Sequence, residues 1–122
     1  MGQARSFPPL ARGDARVLIL GSMPGVASLH ARQYYAHRQN QFWWIMGRLF
    51  GAERDLPYAQ RVERLLERRV AVWDVLIRRV RAQLGPRGTT LRYARLPSTS
   101  PAHAGVPRAA KLRAWRRIQE HL

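Results

Sequence analysis

The chain has 122 residues, 46% of them hydrophobic, which suffices for one domain with a modest core and is too few for two. It has no cysteine, which excludes disulfides, thiolate zinc sites and cysteine nucleophiles. With 22 basic and 7 acidic residues, its net charge is +15. Nucleic acid is therefore the first partner to consider, and an acidic membrane surface is the second. Alternatively, the basic surface has no specific ligand.

The first segments of the chain predict a loose lead-in, a strand and a loop. Residues 1–15 contain proline, glycine and arginine without periodicity, so no regular element is expected there. The continuous apolar run 16–21 is typical of a strand buried on both faces of a parallel sheet, and residues 22–28 form the loop after it. This run is too short for a signal peptide or a membrane span, so we expect a soluble cytoplasmic protein without membrane contact.

Two helices follow. Asn40 can cap a helix over 41–50, which Gly51 would end. Pro57 suits the first position of a second helix that continues to about residue 69, because the apolar residues after it have helical spacing.

The second half predicts two more strands and two more helices. In chain order these segments are a strand at 70–76, the basic end of a helix at 77–84, a turn at 85–88, a strand at 89–96, a loop at 97–107 and a closing helix at 107–122. The closing helix has an apolar stripe and a solvated side that includes Lys111. The residues of the stripe are Leu112, Trp115, Ile118 and Leu122.

This order of elements predicts the α/β class with a mostly parallel sheet. In such sheets ligands bind beyond the carboxyl ends of the strands. The loops at 21–40 and 96–103 both follow strands, so we expect them to face each other at that edge.

The most unusual segment is QYYAHRQNQFWWIM at 33–46, which is rich in aromatic residues and has no carboxylate. On a helix that starts near residue 41, Phe42 lies on the face expected to be core. Tyr34 and Tyr35 precede that helix and are candidates for a stacking platform, where a nucleobase gains about 1–3 kcal/mol. Alternatively, the two rings only cover the edge of the core.

Asn40 carries both a hydrogen-bond donor and an acceptor in a neutral side chain. It can serve only as a helix cap, or it can also orient a water molecule or contact the edge of a base. The sequence leaves both roles open.

Two loops are candidates for backbone contacts with a ligand. GSMPG at 21–25 lacks the spacing of a phosphate-binding loop, so it is either a plain turn or a set of backbone N–H groups presented to a ligand. PSTSP at 97–101 is rigid, rich in hydroxyls and flanked by basic residues, which suits phosphate contacts or a solvated turn. The histidines lack metal-ligand spacing and no carboxylate pair lies beside these loops, so we expect no metal, no cofactor and no two-carboxylate hydrolase.

Three motifs in this order resemble the uracil-DNA glycosylase superfamily: LILGSMPG at 18–25, YYAHRQNQFW at 34–43 and LPSTSPAHA at 96–104. Within it the pattern is most similar to the DNA-deoxyinosine (hypoxanthine-DNA) glycosylases. The resemblance implies one domain over 16–122 with a three-layer α/β/α fold and a short, mostly parallel sheet. It also implies metal-free hydrolysis of the N-glycosidic bond of a damaged base that is flipped out of the DNA.

The resemblance also implies roles for individual residues. Asn40 would be the catalytic residue that orients the attacking water, and Tyr35 would stack on the flipped base above Phe42. The base pocket would further include Gly21, Ser22, Met23 and Pro24. The DNA backbone would be held by Pro97, Ser98, Thr99 and Ser100. His103, a basic residue that flanks this loop, is a further candidate for phosphate contacts.

The chain departs from the family pattern near 76–78. There the family carries about one more strand–helix unit, whereas WDVL at 73–76 runs almost directly into RRVRAQLGPRG at 78–88. Three strands are therefore expected where the family has four. The missing strand would lie between the first and the last, so its loss would leave apolar faces uncovered or force those two strands to pair.

The sequence thus predicts a monofunctional DNA glycosylase of base-excision repair, acting as a monomer on DNA that contains hypoxanthine, with uracil as a further candidate base. One alternative is a catalytically inactive, shortened relative that only binds nucleic acid. Another is a deletion product that does not fold stably.

Overall fold

The computed structural model of the chain describes residues 8–21, 33–73, 77–86, 91–100 and 105–122. The elements are strand β1 (Val17–Leu20), helix α1 (Phe42–Phe50), helix α2 (Tyr58–Glu67), strand β2 (Val70–Trp73), helix α3 (Ile77–Leu84), helix α4 (Arg108–Trp115) and a 3₁₀ helix (Arg116–His121). This order confirms the α/β class. None of the helices in the described ranges is long and apolar enough to cross a membrane.

β1 and β2 form a two-stranded parallel sheet, with Val17 opposite Val70 and Leu20 opposite Trp73. The predicted strands at 16–21 and 70–76 are confirmed at these positions, while residues 74–76 lie outside the described part. Three of the four side chains of β2 are buried, which explains why it reads as a continuous apolar run rather than an alternating one.

The two edges of this sheet differ. Leu10 and Val72 exchange both backbone hydrogen bonds at 2.9 Å in an antiparallel bridge. Since the N–H and C=O of one strand residue point to the same side, Leu10 and β1 flank β2 on opposite sides. The lead-in expected to be loose is therefore attached to the sheet at Leu10. No described strand pairs with the outer edge of β1, where Leu18 is 44% exposed.

The prediction of a third strand at 89–96 is wrong over residues 91–96, which form no strand; residues 89 and 90 lie outside the described part. The alternation of Leu91 and Tyr93 with more polar residues predicted a buried face, but these side chains are 51% and 39% exposed. A strand needs a hydrogen-bonded neighbour, and no described strand pairs with this segment. Instead, the guanidinium group of Arg81 stacks over the ring of Tyr93, with 4.1 Å between the guanidinium carbon and the ring centroid.

Helix α1 is the centre of the core. It packs against α2 and α4, and most of its side chains are buried. Gly51, at φ 73°, ends the helix as predicted, and its N–H donates to the carbonyl oxygen of Gly47 at 3.0 Å. The largest fully buried side chains of the described ranges are Trp43, Tyr34, Phe42, Ile45, Met46, Leu65, Val70 and Val72.

The closing segment differs from its prediction in two ways. The single helix expected over 107–122 is α4 followed by a 3₁₀ helix, a frequent form of a last helical turn. Trp115 and Ile118 are buried as predicted, but Lys111, expected on the solvated side, is only 2% exposed. The reason is that Lys111 precedes Trp115 by four residues and so shares its face of the helix.

Candidate functional site

The segment before α1 is anchored through Tyr34. Its hydroxyl donates to the carbonyl oxygen of Pro8 at 2.9 Å, and its backbone N–H donates to the hydroxyl of Tyr58 at 3.1 Å. The indole N–H of Trp43 donates to the Tyr34 carbonyl oxygen at 2.8 Å. Tyr34 is 1% exposed, so the prediction that it offers a stacking platform is wrong: it belongs to the core and holds the segment in place.

Tyr35 has a different environment from its neighbour. Its φ of 55° lies in the left-handed region, which a non-glycine residue adopts at a cost of about 1–3 kcal/mol. Its half-buried ring stacks on Phe42, with 3.9 Å between the ring centroids and 16° between the planes. Phe42 is completely buried and lies beneath Tyr35. It was predicted to bind the base, but in this position it can only support the ring of Tyr35.

Asn40 lies two residues before Phe42, the first residue of α1, and its side chain caps the helix. Its Oδ1 accepts a hydrogen bond from the backbone N–H of Phe42 at 2.8 Å, although the terminal position itself is occupied by Gln41. The cap leaves one lone pair of Oδ1 and the whole Nδ2 group, for which the described residues provide no hydrogen-bond partner. The structure therefore makes the cap compatible with a second role in binding water or a base.

Arg54 ties down the turn that carries Asn40. Its guanidinium donates to the carbonyl oxygens of Asn40 at 3.3 Å and of His37 at 3.2 Å. The backbone N–H of Asn40 also donates to the His37 carbonyl oxygen at 3.0 Å. Burial lowers the pKa of the neighbouring Arg61, and the positive charge of Arg54 lowers it further. No sequence pattern pointed to Arg54, because its contacts depend on where the loop after α1 folds back.

The loop at 97–100 contacts the same end of α1. The backbone N–H of Gln41 donates to the carbonyl oxygen of Thr99 at 2.9 Å. The indole N–H of Trp115 donates to the carbonyl oxygen of Pro97, also at 2.9 Å. The side chain of Thr99 is buried and that of Ser98 is exposed. This loop is thus fixed between α1 and α4, beside Asn40.

The predicted site residues fall into three groups. Asn40, Tyr35 and Phe42 are brought together with the loop at 97–100. Gly21 ends β1, where its N–H donates to the carbonyl oxygen of Trp73 at 3.1 Å. Four further predicted residues lie outside the described part of the chain: Ser22, Met23, Pro24 and His103.

Among the described residues, neither the surface depression that the structure shows nor a metal centre coincides with this arrangement. A surface depression of about 320 Å³ is lined by Gln60, Glu63, Arg64 and Glu67 of α2 and contains none of the predicted site residues. Within the ranges that the structure describes, no group of three or more His, Cys, Asp or Glu side chains could hold a metal ion.

Comparison with solved structures identifies the fold. The chain superimposes with a TM-score of 0.73 and 22% identity on the solution NMR structure of a "putative Uracil DNA glycosylase" from Methanosarcina acetivorans, over 95% of this chain and 98% of that one. At this identity the likeness defines the architecture alone. The chain therefore shares the α/β fold of that structure.

Sequence comparison narrows the relationship. The chain is 38% identical to a hypoxanthine DNA glycosylase of Methanosarcina barkeri and 35% identical to that of Methanosarcina acetivorans, in each case over 72 residues. It is thus similar in sequence to two proteins named hypoxanthine DNA glycosylases, the group that the three motifs resemble. Each match covers 58% of this chain and 46% of the relative, so the chain matches less than half of their length. No protein-family model matches it.

Proposed function

We propose that this chain is a monofunctional DNA glycosylase of base-excision repair that hydrolyses the N-glycosidic bond of deaminated bases, with hypoxanthine as the first substrate and uracil as the second to test. One observation carries the proposal: Asn40, Tyr35 and the loop at 97–100 converge at the start of α1, held by the hydrogen bond between Gln41 and Thr99. The similarity to two hypoxanthine DNA glycosylases supports the choice of substrate.

In this proposal Asn40 orients the water that attacks the anomeric carbon of the sugar. The bond from that carbon to the base nitrogen breaks and its electron pair leaves with the base. The water oxygen forms the new bond to the sugar, and the proton that the water loses passes through solvent to the departing base anion. The Nδ2 group, for which the described residues provide no partner, and the second lone pair of Oδ1 can each hold this water, while the cap fixes the rotamer of the side chain. Removal of one preorganised polar side chain of this kind from an active site costs about 10²–10³-fold in rate.

Tyr35 is proposed to stack on the flipped base, supported from beneath by Phe42. The loop at 97–100, with its exposed Ser98, is proposed to contact the DNA backbone. The net charge of +15 attracts the polyanion and stabilises negative charge on a departing base. We further propose that the domain spans 16–122, that it acts as a monomer and that it acts in the cytoplasm.

A second candidate function is DNA binding without catalysis. Two observations favour it: the match to less than half of the length of the relatives, and the outer edge of β1, with which no described strand pairs. In the full family pattern a further strand would lie there, so this protein could retain the DNA surface while lacking part of the base pocket.

A single-turnover cleavage assay separates the two functions. Purified protein in excess is mixed with end-labelled oligonucleotides that carry one hypoxanthine or one uracil, in single-stranded and duplex form, and abasic sites are cleaved with alkali. Circular dichroism confirms that each preparation is folded. Hypoxanthine excision that disappears in Asn40→Ser supports the glycosylase, whereas folded protein that binds DNA and excises neither base supports the binder.

A further inference from the structure

Two arginines from different helices converge on one tryptophan beside the candidate site. The guanidinium carbon of Arg108, on α4, lies 4.4 Å from the ring centroid of Trp44, and that of Arg48, on α1, lies 5.3 Å from it. Trp44 is half-buried and both arginines are exposed. Stacking on an aromatic ring holds the planar guanidinium group in a fixed orientation.

These two guanidinium groups have donors but no acceptors. Within the described part of the chain, neither Arg48 nor Arg108 makes an ion pair or a side-chain hydrogen bond, and the ion pair that is present joins Arg69 to Asp14 at 3.9 Å. Each guanidinium carries five N–H donors that suit the oxygens of a phosphate. The patch therefore presents two sets of donors whose geometry suits a phosphate.

The position of Arg108 strengthens this point. It is the first residue of α4, where the exposed N–H groups make the helix end positive and a cation is unfavourable. No acidic residue in the first turn of α4 compensates this charge. Helix stability does not explain an arginine there, whereas a bound anion would be stabilised by both the side chain and the helix end.

The patch also continues the candidate site. Trp44 lies in the first turn of α1, which Asn40 caps, and Arg48 follows one turn later on the same face, about 6 Å further along the helix axis. Helix α4, which carries Arg108, packs against α1. A DNA strand with one base at Asn40 would therefore have its flanking backbone within reach of both arginines.

We propose that Trp44, Arg48 and Arg108 form a second DNA-binding surface, which holds backbone phosphates next to the flipped nucleotide while Trp44 fixes the two guanidinium groups. The choice of DNA as the partner rests on the proposed function. The contact itself does not require catalysis, so it can be tested on DNA without a damaged base.

The test measures binding of a fluorescent, undamaged duplex by anisotropy across a salt titration. The variants are Arg48→Ala, Arg108→Ala and the double variant. The matched control is Arg68→Ala, which also removes one exposed guanidinium group that lies over an aromatic ring. The guanidinium carbon of Arg68 lies 5.7 Å from the ring centroid of Phe50, which is the last residue of α1 and therefore at the opposite end of that helix from Asn40. Arg108→Lys keeps the charge and removes the planar fork, and thermal melts check the fold of every variant.

Each phosphate contact contributes about −0.9 to the slope of the logarithm of the binding constant against the logarithm of the salt concentration. Near 0.1 M salt, the loss of one contact therefore lowers the affinity roughly fivefold to tenfold. We expect the double variant to lose about 2 units of slope, each single variant about 1, and Arg68→Ala almost none. Equal losses in Arg68→Ala would overturn the proposal in favour of general charge attraction, as would an unchanged slope in the double variant. A protein that excises no base but shows the patch-specific loss supports this surface and refutes only the proposed catalysis.

Discussion

The backbone N–H of Gln41 is bonded to the carbonyl oxygen of Thr99 at 2.9 Å, and this contact joins the first turn of α1 to the loop before α4. A backbone-to-backbone contact does not depend on the side chain at either position. It fixes the distance between Asn40 and the hydroxyl-rich loop, so the residue proposed for catalysis and the segment proposed for DNA contact move as one unit.

Asn40 has two roles that substitutions can separate. Asn40→Ala removes the cap as well as the carboxamide, so the free energy of unfolding should fall by about 1 kcal/mol and the cleavage rate by roughly 10²-fold or more. Asn40→Ser keeps an oxygen for the N–H of Phe42 and should restore stability without restoring cleavage. Thermal melts and single-turnover rates are compared. Recovery of cleavage in the serine variant would mean that Asn40 acts only as a cap.

Arg54 is predicted to position Asn40. Arg54→Ala removes both hydrogen bonds to the turn. Because these bonds lie at the surface, we expect the activation free energy of cleavage to rise by about 1 kcal/mol, which lowers the cleavage rate at saturating protein roughly fivefold. Lysine cannot donate to two carbonyl oxygens from one planar fork, so Arg54→Lys should recover little of this rate although it keeps the charge. Arg68→Ala controls for the loss of charge. Full activity in Arg54→Lys would show that only the charge matters.

Tyr35 is predicted to act through its ring. Tyr35→Leu keeps an apolar cover over Phe42 but removes the stacking surface, worth about 1–3 kcal/mol, and should lower cleavage of hypoxanthine DNA roughly 5- to 150-fold. Tyr35→Phe keeps the ring and should retain most of the activity. Affinity for undamaged duplex is the internal control, since an unflipped base does not reach the ring. A leucine variant as active as the phenylalanine variant would contradict the stacking role.

Lys111 is predicted to lower the stability of the folded chain. Its side chain is buried, and the described residues provide no acceptor or carboxylate that would offset the desolvation of the ammonium group. Lys111→Met has a similar volume and should raise the free energy of unfolding by about 1 kcal/mol or more in urea denaturation. Arg113→Met, at an exposed position on the same helix, should stay within about 0.5 kcal/mol of the parent. A destabilised methionine variant would show that the ammonium group has a favourable partner.

The periodic features of the chain could be predicted from its sequence. The apolar runs at 16–21 and 70–76 predicted β1 and β2, and Gly51 predicted the end of α1 through its left-handed conformation. These predictions succeed because each depends on a few neighbouring residues. The capping hydrogen bond of Asn40 could be predicted for the same reason, although Gln41 occupies the cap position itself.

The remaining features depend on contacts between distant segments. Tyr34 and Tyr35 look alike in sequence, yet the positive φ at Tyr35 sends one ring into the core and the other onto Phe42. The alternation after residue 89 predicted a strand, but a strand also requires a neighbour, which the described residues do not supply. The positions of Arg54 and Arg108 likewise follow from tertiary packing and not from any local pattern.

The outer edge of β1 makes the high positive charge of the chain relevant to its self-association. A strand edge that no described strand covers, next to the exposed Leu18, is a template on which a second copy can add its own strand. Two copies that each carry +15 repel one another before those edges meet. Salt shortens the range of this repulsion to about 10 Å at 0.1 M, so we expect concentrated protein to self-associate as the salt concentration rises. The positive charge of the chain thus opposes aggregation through this edge, and a polyanion that neutralised this charge would remove the protection.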